Sequence, residues 1–274
     1  MRETVHTAAA ALSHPLAFLI GALADARRSR RIGWQLFRTG LKAGRRRLLI
    51  GHLWLILPAL ATAVVCVGLQ SARVFTVGAT ELPYGLHVLT GIILWQTFVD
   101  ALNAPLQELE GSRHMIARSR IPHEALFVAG LSRVALNCMV RLLLLGIAVA
   151  AMHGAPSWAA LPLLPAAMLV LVLMGTALGL ALAPWGLLYG DVRHGMPVAL
   201  SLGFVLTPIF YPAPEGGLLS FNPLVPAMAT ARRSILAPEF AGSFAATAVA
   251  AAFGCVAAWL VYRLAQPHVV ETLG

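Results

Sequence analysis

The sequence predicts an all-α polytopic membrane protein with six transmembrane helices, an amino-terminal amphipathic interface helix and re-entrant helices between spans five and six. Of its 274 residues, 59% are hydrophobic and only 11% are charged, and the mean hydropathy is +0.79. A soluble domain carries about 25% charged residues. The charges of this chain are too few to cover a water-exposed surface, so most of the surface must face lipid.

Residues 1–47 are predicted to be cytoplasmic and to end in a basic interface helix over 27–47. The stretch "ARRSRRIGWQLFRTGLKAGRRRLL" carries an incomplete apolar stripe, with Trp34 and Phe37, among arginines. This pattern is typical of a helix in the inner interface, with its guanidinium groups at lipid phosphates. A solvated basic linker is the alternative. The preceding run resembles a signal-peptide core, but Pro15 breaks it and the arginines that follow oppose translocation.

Six apolar runs follow, and each is interpreted as one membrane crossing. Their predicted ranges are 48–69, 85–102, 124–152, 161–186, 196–211 and 242–264, and a cytoplasmic tail covers 265–274. In the fourth run, "GTALG" at 175–179 has the small-xxx-small spacing that lets membrane helices approach closely.

Positive charge assigns the connecting segments to the two sides of the membrane. The arginine-rich amino end, the 103–123 and 187–195 loops and the tail fall on one side, which the positive-inside rule places in the cytoplasm. Both termini are therefore expected to be cytoplasmic. The arginines that violate the rule are Arg73, Arg232 and Arg233, and we expect the last two at the outer membrane surface.

The fifth span is too short for an ordinary crossing. About sixteen apolar residues separate the charges at Asp191 and Arg193 from a proline-rich break, and they would form roughly 24 Å of helix against a core of about 30 Å. The apolar segment beyond it, 212–238, is interrupted by further prolines. Because non-helical backbone is tolerated in a membrane only inside protein or beside water, we interpret 212–238 as re-entrant helices at an outer mouth. The alternative is an amphipathic loop on the outer surface.

Two polar stripes run along neighbouring spans. Gln96, Asp100 and Asn103 share one face of span two, beside Trp95 and Phe98, and Arg133, Asn137 and Arg141 recur at four-residue steps in span three. An arginine at mid-membrane costs about 2.5–3.5 kcal/mol even on a lenient scale, so Arg141 is expected to face protein or a watery path. The stripes are therefore candidates for a pathway. The alternative is that Arg141 snorkels, or pairs with Asp100 only to hold the two helices together.

Signals of bond chemistry are weak. The chain has no GxSxG motif or metal-ligand spacing, its three cysteines are scattered, and its single lysine, Lys42, excludes a phosphate-binding GxxxxGK[ST] loop. No catalytic or metal-ligating residue is predicted. If the protein pumps with ATP, another chain must carry the ATPase.

Several motifs together resemble the permeases of type-2 ATP-binding-cassette exporters, most closely the branch that exports O-antigen, capsule and teichoic acid. They are "LLIGHLWLILPAL", "LWQTFVDALN" followed by "HMIARSRIPHEAL", "LLYGDVRHGMP", and "TPIFYP" followed by "FNPLVPAMATARRSIL", and the likeness covers about 27–264. The chain departs from the family pattern at Ile121-Pro122, where Phe-Pro is typical, and at Gly190, where arginine is usual.

This resemblance implies a homodimeric permease in a bacterial inner membrane, seated on two copies of a separate ATPase that binds ATP and Mg²⁺, while this chain binds no cofactor and is no enzyme. The loop docked on the ATPase would comprise Arg113, His114, Met115, Ile116, Arg118, Arg120, Ile121 and Pro122. Asp191 and Arg193 would belong to the cytoplasmic loop between spans four and five. The outer mouth would comprise Pro208, Pro212, Asn222, Pro223, Arg232 and Arg233.

A lipid-linked polysaccharide would move along a conduit of weakly binding residues. Aromatic rings offer flat faces to sugars, and Arg141 could meet the lipid pyrophosphate that begins such chains. The candidates are Trp54, Trp95, Phe98, Asp100, Asn137, Arg141, Trp185, Tyr189, Phe204, Phe210 and Tyr211. The alternative is that the aromatic residues only anchor helices at the membrane interface.

Two other functions compete with polysaccharide export. The first is a type-2 permease for another cargo, such as a lipo-oligosaccharide, a drug or a lipid. The second is a membrane-embedded glycosyl or acyl transferase, which would need acidic or histidine residues at one membrane face. Asp100, Glu108, Glu110 and His114 form the one such cluster near the inner face, and they fit a docking loop better.

Overall fold

The structure of the protein, a computed structural model, describes residues 15–47, 53–72, 82–112, 122–152, 162–212, 222–237 and 242–273. Every regular element in these ranges is a helix. In chain order they are α1 Pro15–Arg47, α2 Leu53–Ser71, α3 Tyr84–Gly111, α4 His123–Met152, α5 Leu163–Leu188, α6 Asp191–Leu206, α7 Val225–Leu236 and α8 Phe244–Leu273. The predicted all-α class is confirmed for the described part of the chain.

Within the described ranges, four helices are long and apolar enough to cross a membrane. They are Tyr84–Gly111, His123–Ala151, Leu163–Leu188 and Phe244–Gln266, and the shortest has 23 residues. At about 1.5 Å per residue, each exceeds a hydrocarbon core of about 30 Å. The apolar stretch Leu57–Ser71 of α2 is shorter. These helices support a membrane-embedded helical protein, whereas the number of six spans stays a prediction.

Helix α3 lies at the centre of the bundle. It packs against α2, α4, α5 and α7, and α5 packs in turn against α7 and α8. The closest approach uses the predicted small-xxx-small motif, because a Cβ on Gly175 of α5 would lie 2.5 Å from the carbonyl oxygen of Phe98, and Gly179 lies against Leu102. The predicted close packing at "GTALG" is therefore confirmed, and it fixes α3 and α5 backbone to backbone.

Helix α1 packs along α4 through a glycine. A Cβ on Gly33 would lie 2.6 Å from the carbonyl oxygen of Ala125, and Phe37 is buried in the same contact face. Trp34 is instead 46% exposed, with the guanidinium of Arg38 5.3 Å from its ring centroid. The helix also begins at Pro15, well before residue 27, since the intervening alanine- and leucine-rich run has high helix propensity.

Several helices begin or end at other residues than the predicted spans, because a helix can continue beyond the apolar run that would cross the membrane, and α6 ends early. Helix α3 extends from the predicted end at 102 to Gly111, and α8 extends through most of the predicted 265–274 tail. Helix α6 begins at Asp191 rather than 196 and ends at Leu206 rather than 211. An established helix gains one hydrogen bond per added residue, and good helix formers such as Gln107 and Glu108 need no lipid contact to join it.

Candidate functional site

A buried polar cluster joins α3 to α4. The Asp100 carboxylate Oδ2 accepts hydrogen bonds from Arg141 Nη2 at 3.0 Å and from Asn137 Nδ2 at 2.9 Å. Arg141 Nη1 donates to Thr97 Oγ1 at 3.4 Å. The Arg141 side chain is only 3% exposed, whereas that of Asp100 is 29% exposed. The two predicted polar stripes therefore meet, and their contact reaches the protein surface through Asp100.

Helical spacing brings these side chains together. Asn137 and Arg141 stand one turn apart on α4, and Thr97 and Asp100 stand nearly one turn apart on α3, so each helix presents two groups on one face. Thr97 is not among the predicted residues, although its spacing of three residues from Asp100 could have indicated it. The Thr97 hydroxyl donates to the carbonyl of Ile93 at 2.8 Å and so has a lone pair for Arg141.

The surroundings of Arg141 decide what the cluster does in this conformation. Its two terminal nitrogens already donate to α3, and its buried Nε has no hydrogen-bond partner among the described residues. A guanidinium bound in this way is not presented to a phosphate. The geometry is that of the alternative interpretation, an ion pair that holds α3 to α4. A cargo anion would reach Arg141 only after the pair with Asp100 has opened.

Four of the predicted conduit aromatics form a second cluster between α3 and the end of α6. The Trp95 ring centroid lies 5.5 Å from that of Phe98 and 5.8 Å from that of Phe204, and Phe204 meets Phe210 edge-on at 5.3 Å. Trp95 and Phe98 are buried. Their faces are used in packing, so a sugar could contact them only if α6 moves away from α3.

The chain leaves the helical conformation after Leu206, and side chains satisfy the backbone there. Thr207 is extended, and its hydroxyl donates to the carbonyl of Gly203 at 2.7 Å. Asn222 Nδ2 donates to the Thr207 hydroxyl at 3.1 Å, while its Oδ1 accepts from the amide of Leu224 at 3.0 Å. Asn222 thus links the end of α6 to the start of α7.

Arg232 makes the innermost contact of this broken segment. It lies on α7 with 7% exposure, and its Nη2 donates to the carbonyl of Ile209 at 3.1 Å. A Cβ on Gly91 of α3 would lie 2.7 Å from that nitrogen and 3.0 Å from the Ile209 oxygen, so only glycine leaves room. Arg232 is thus buried within the protein, where the carbonyl of Ile209 offers it a partner, and its position at the outer membrane surface stays a prediction. Its neighbour Arg233 is exposed.

A third set of polar contacts ties α1, α4 and α8 together. Arg263 of α8 bonds both Asp25 of α1 and Glu124 of α4, the latter at 3.2 Å. Beside it, His123 Nδ1 and the Tyr262 hydroxyl lie 2.8 Å apart. This junction was not predicted, because Glu124 and Asp25 are 139 and 238 positions away from Arg263 in the sequence and share no motif with it.

The remaining predicted residues are distributed over both ends of the bundle. Trp185 and Tyr189 stack at 6.1 Å and are both more than half exposed, away from the aromatic cluster. The Tyr211 hydroxyl donates to the carbonyl of Val205 at 3.2 Å. Pro208 is buried, whereas Pro212, Pro223 and Asp191 are exposed.

Part of the predicted ATPase contact falls outside the described residues. The residues of that contact outside the described ranges are Arg113, His114, Met115, Ile116, Arg118, Arg120 and Ile121. Arg73 and the side chain of Trp54, which belong to other predictions, are not described either. Pro122 is described and stands immediately before α4.

Comparison of the chain with protein-family models gave no match, and comparison with curated proteins gave none either.

Proposed function

We propose that this chain is the transmembrane permease subunit of an ATP-driven exporter that moves a lipid-linked polysaccharide across the bacterial inner membrane. In this proposal α2, α3, α4, α5, α6 and α8 are the six spans, α1 is the interface helix, and both termini are cytoplasmic. The permease works as a homodimer on a separate ATPase and makes or breaks no bond itself.

The observation that carries the proposal is the short helix α6 and the non-helical backbone that follows it. Helix α6 has 16 residues, about 24 Å, against a core of about 30 Å. The backbone beyond it does not continue as a helix; Asn222 bonds the Thr207 hydroxyl there, and Arg232 bonds the carbonyl of Ile209. Such backbone is tolerated only when it is packed in protein or lines a wet cavity, which is the situation at the mouth of a transport pathway.

The connections between helices support a route from ATPase to pathway. The segment 113–121 joins α3 to α4, and those helices are bonded to each other by the Asp100–Arg141 pair and by Arg133 to Glu108 at 2.7 Å. A push on that segment would therefore move α3 and α4 together. Helix α6 packs on α5 and meets α3 only through the Trp95–Phe204 ring contact, so a movement of α3 away from α6 would open a path beside Trp95.

The test is to purify the tagged chain from native membranes and to measure both bound ATPase and surface glycan. We expect an ATP-binding-cassette ATPase to co-purify at one copy per permease, and disruption of the gene to remove a surface polysaccharide. Co-purification without any change in surface glycan would contradict the cargo, and the absence of an associated ATPase would contradict the transporter assignment itself.

A further inference from the structure

A cleft separates the amino-terminal half of α6 from α3 and α5. Its volume is about 560 Å³, within the range of roughly 300–1,000 Å³ that is usual for ligand sites. It is distinct from the clusters around Arg141 and Arg232, neither of which lines it.

The cleft lies where α6 packs only partly on its neighbours, with Met196 and Leu200 half-buried against the core. Near its carboxyl end, Gly203 lies against the Trp95 ring, where a Cβ would be 2.9 Å from a ring carbon. Near its amino end, Arg193 Nη1 contacts Glu110 Oε1 at 2.6 Å, with side-chain exposures of 71% and 51%. No residue of α6 is buried. The helix therefore packs loosely on α5 and touches α3 through side chains, which leaves a slot between the three helices.

The slot has the polarity profile of an amphiphile. Its walls are formed largely by aliphatic side chains such as Leu106, Leu187, Met196 and Leu200, and its mouth carries Glu110 and Arg193. From Arg193 to Leu200 is seven residues, so the apolar wall runs about 10 Å inward from the charged mouth.

Two amides of α3 line the cleft inward of its charged mouth. Gln107 and Asn103 lie roughly one and two turns along α3 from Glu110, so Asn103 lies about as deep as Leu200. Gln107, the amide next to the mouth, can donate a hydrogen bond, which suits an ester oxygen of a glycerolipid. The charged mouth, the amide one turn inward and the aliphatic side chains of α5 and α6 match the headgroup, a glycerol ester and an acyl chain.

The charges at the mouth select the headgroup. Arg193 and Glu110 stand side by side with opposite charge, and Asp191 adds a second exposed carboxylate nearby in sequence. A pyrophosphate would meet both carboxylates, whereas a zwitterion offers a phosphate to Arg193 and an ammonium to Glu110. An exposed ion pair contributes little to stability, so exchanging its partners for a headgroup costs little.

We propose that this cleft binds one zwitterionic glycerophospholipid of the phosphoethanolamine type. The phosphate lies on Arg193, the ammonium lies on Glu110, and one acyl chain enters between α3 and α6. The bound lipid is a component of the bilayer and not the transported molecule, so the site stands whether or not the chain is an exporter.

The experiment is photolabelling of the full-length chain in lipid nanodiscs. The probe is phosphatidylethanolamine with a diazirine on one acyl chain, compared with phosphatidylglycerol carrying the same chain, and the labelled peptides are identified by mass spectrometry. We expect label in 103–110 and 183–200 to be about tenfold higher with the zwitterionic probe, the effect of one charge-assisted contact. Equal labelling by the two probes would mean annular lipid only and would overturn the proposal.

Variants test the slot and the headgroup separately. Met196→Trp should fill the slot and abolish the preference, while Val198→Trp, on a position of the same helix that is 61% exposed, should leave it unchanged. Glu110→Arg should turn the preference toward phosphatidylglycerol. Combining Glu110→Arg with Arg193→Glu should restore the preference for phosphatidylethanolamine, because the mouth again carries one positive and one negative side chain. A preference that survives Met196→Trp, or a double variant that labels like the single one, contradicts the proposed site.

Discussion

Replacing Asp100 with leucine tests the buried lock between α3 and α4. The change leaves the Arg141 guanidinium 3% exposed and without its counter-ion. Removing one partner of a buried ion pair costs about 3–5 kcal/mol, because the remaining charge keeps its desolvation penalty. Replacing Arg141 with methionine instead leaves Asp100, which is 29% exposed and can be hydrated. The loss of stability in this variant should therefore be smaller. We expect the first variant to lower stability clearly more than the second.

The assay is reversible unfolding of the purified protein in mixed micelles, followed by helical circular dichroism. The double variant should be more stable than the Asp100 variant alone, since neither charge is left buried. Arg133→Met provides a matched control between the same two helices, because Arg133 is 51% exposed and its pair with Glu108 should contribute about 0–1 kcal/mol. Equal losses for the two single variants, or losses that simply add in the double variant, would refute the reasoning.

Further changes probe the broken segment and its attachment. Gly91→Ala places a Cβ 2.7 Å from Arg232 Nη2 and should destabilise by about 1–3 kcal/mol in the same unfolding assay, while Gly146→Ala, with nothing within 4 Å, should be neutral or stabilising. Arg232→Leu should increase maleimide labelling of a cysteine placed in 207–211 from outside cells, and unchanged labelling would contradict its role. With Trp95 and Phe204 both replaced by cysteine, joining the two with a reducible bifunctional thiol reagent should stop export in membrane vesicles, and reductant should restore it. Export that continues while the two cysteines are joined would exclude movement of α6.

The sequence predicts the structural class of this protein and identifies Arg141 as the residue most costly to place in a membrane, but it does not predict the partners of Arg141. Composition and apolar runs require an all-helical membrane fold, and the cost of a mid-membrane charge requires Arg141 to face protein or water. That Asp100 accepts its charge depends on how α3 and α4 are rotated about their axes, which no single stripe determines. The resemblance to exporter motifs predicts a function, but it does not predict which side chains contact each other.

Arg232 shows why local rules fail at irregular backbone. The positive-inside rule treats an arginine near a span as a marker of one membrane side, and it leaves Arg232 as an exception. The structure gives it a different role, since the carbonyl of Ile209 lies where no helix can satisfy it. Gly91 makes the space for this contact from a helix far away in the sequence. Only the assembled fold reveals that the carbonyl, the cation and the gap coincide.

The attachments of the helices differ enough in strength to determine which part moves. Helices α3, α4 and α5 are joined by a buried ion pair and by glycine contacts between backbones, where opening costs several kcal/mol. Helix α6 has no fully buried residue; it rests on α5 and on the core through half-buried side chains such as Met196 and Leu200. It is joined to α3 by aromatic packing worth about 0.5–1.5 kcal/mol per pair and by an exposed ion pair worth about 0–1 kcal/mol. We therefore expect a force on the bundle to displace α6 before it separates α3 from α4. Because Arg232 on α7 holds the backbone that follows α6, we expect this displacement to be smallest near Ile209 and largest at the amino end, where the cleft lies.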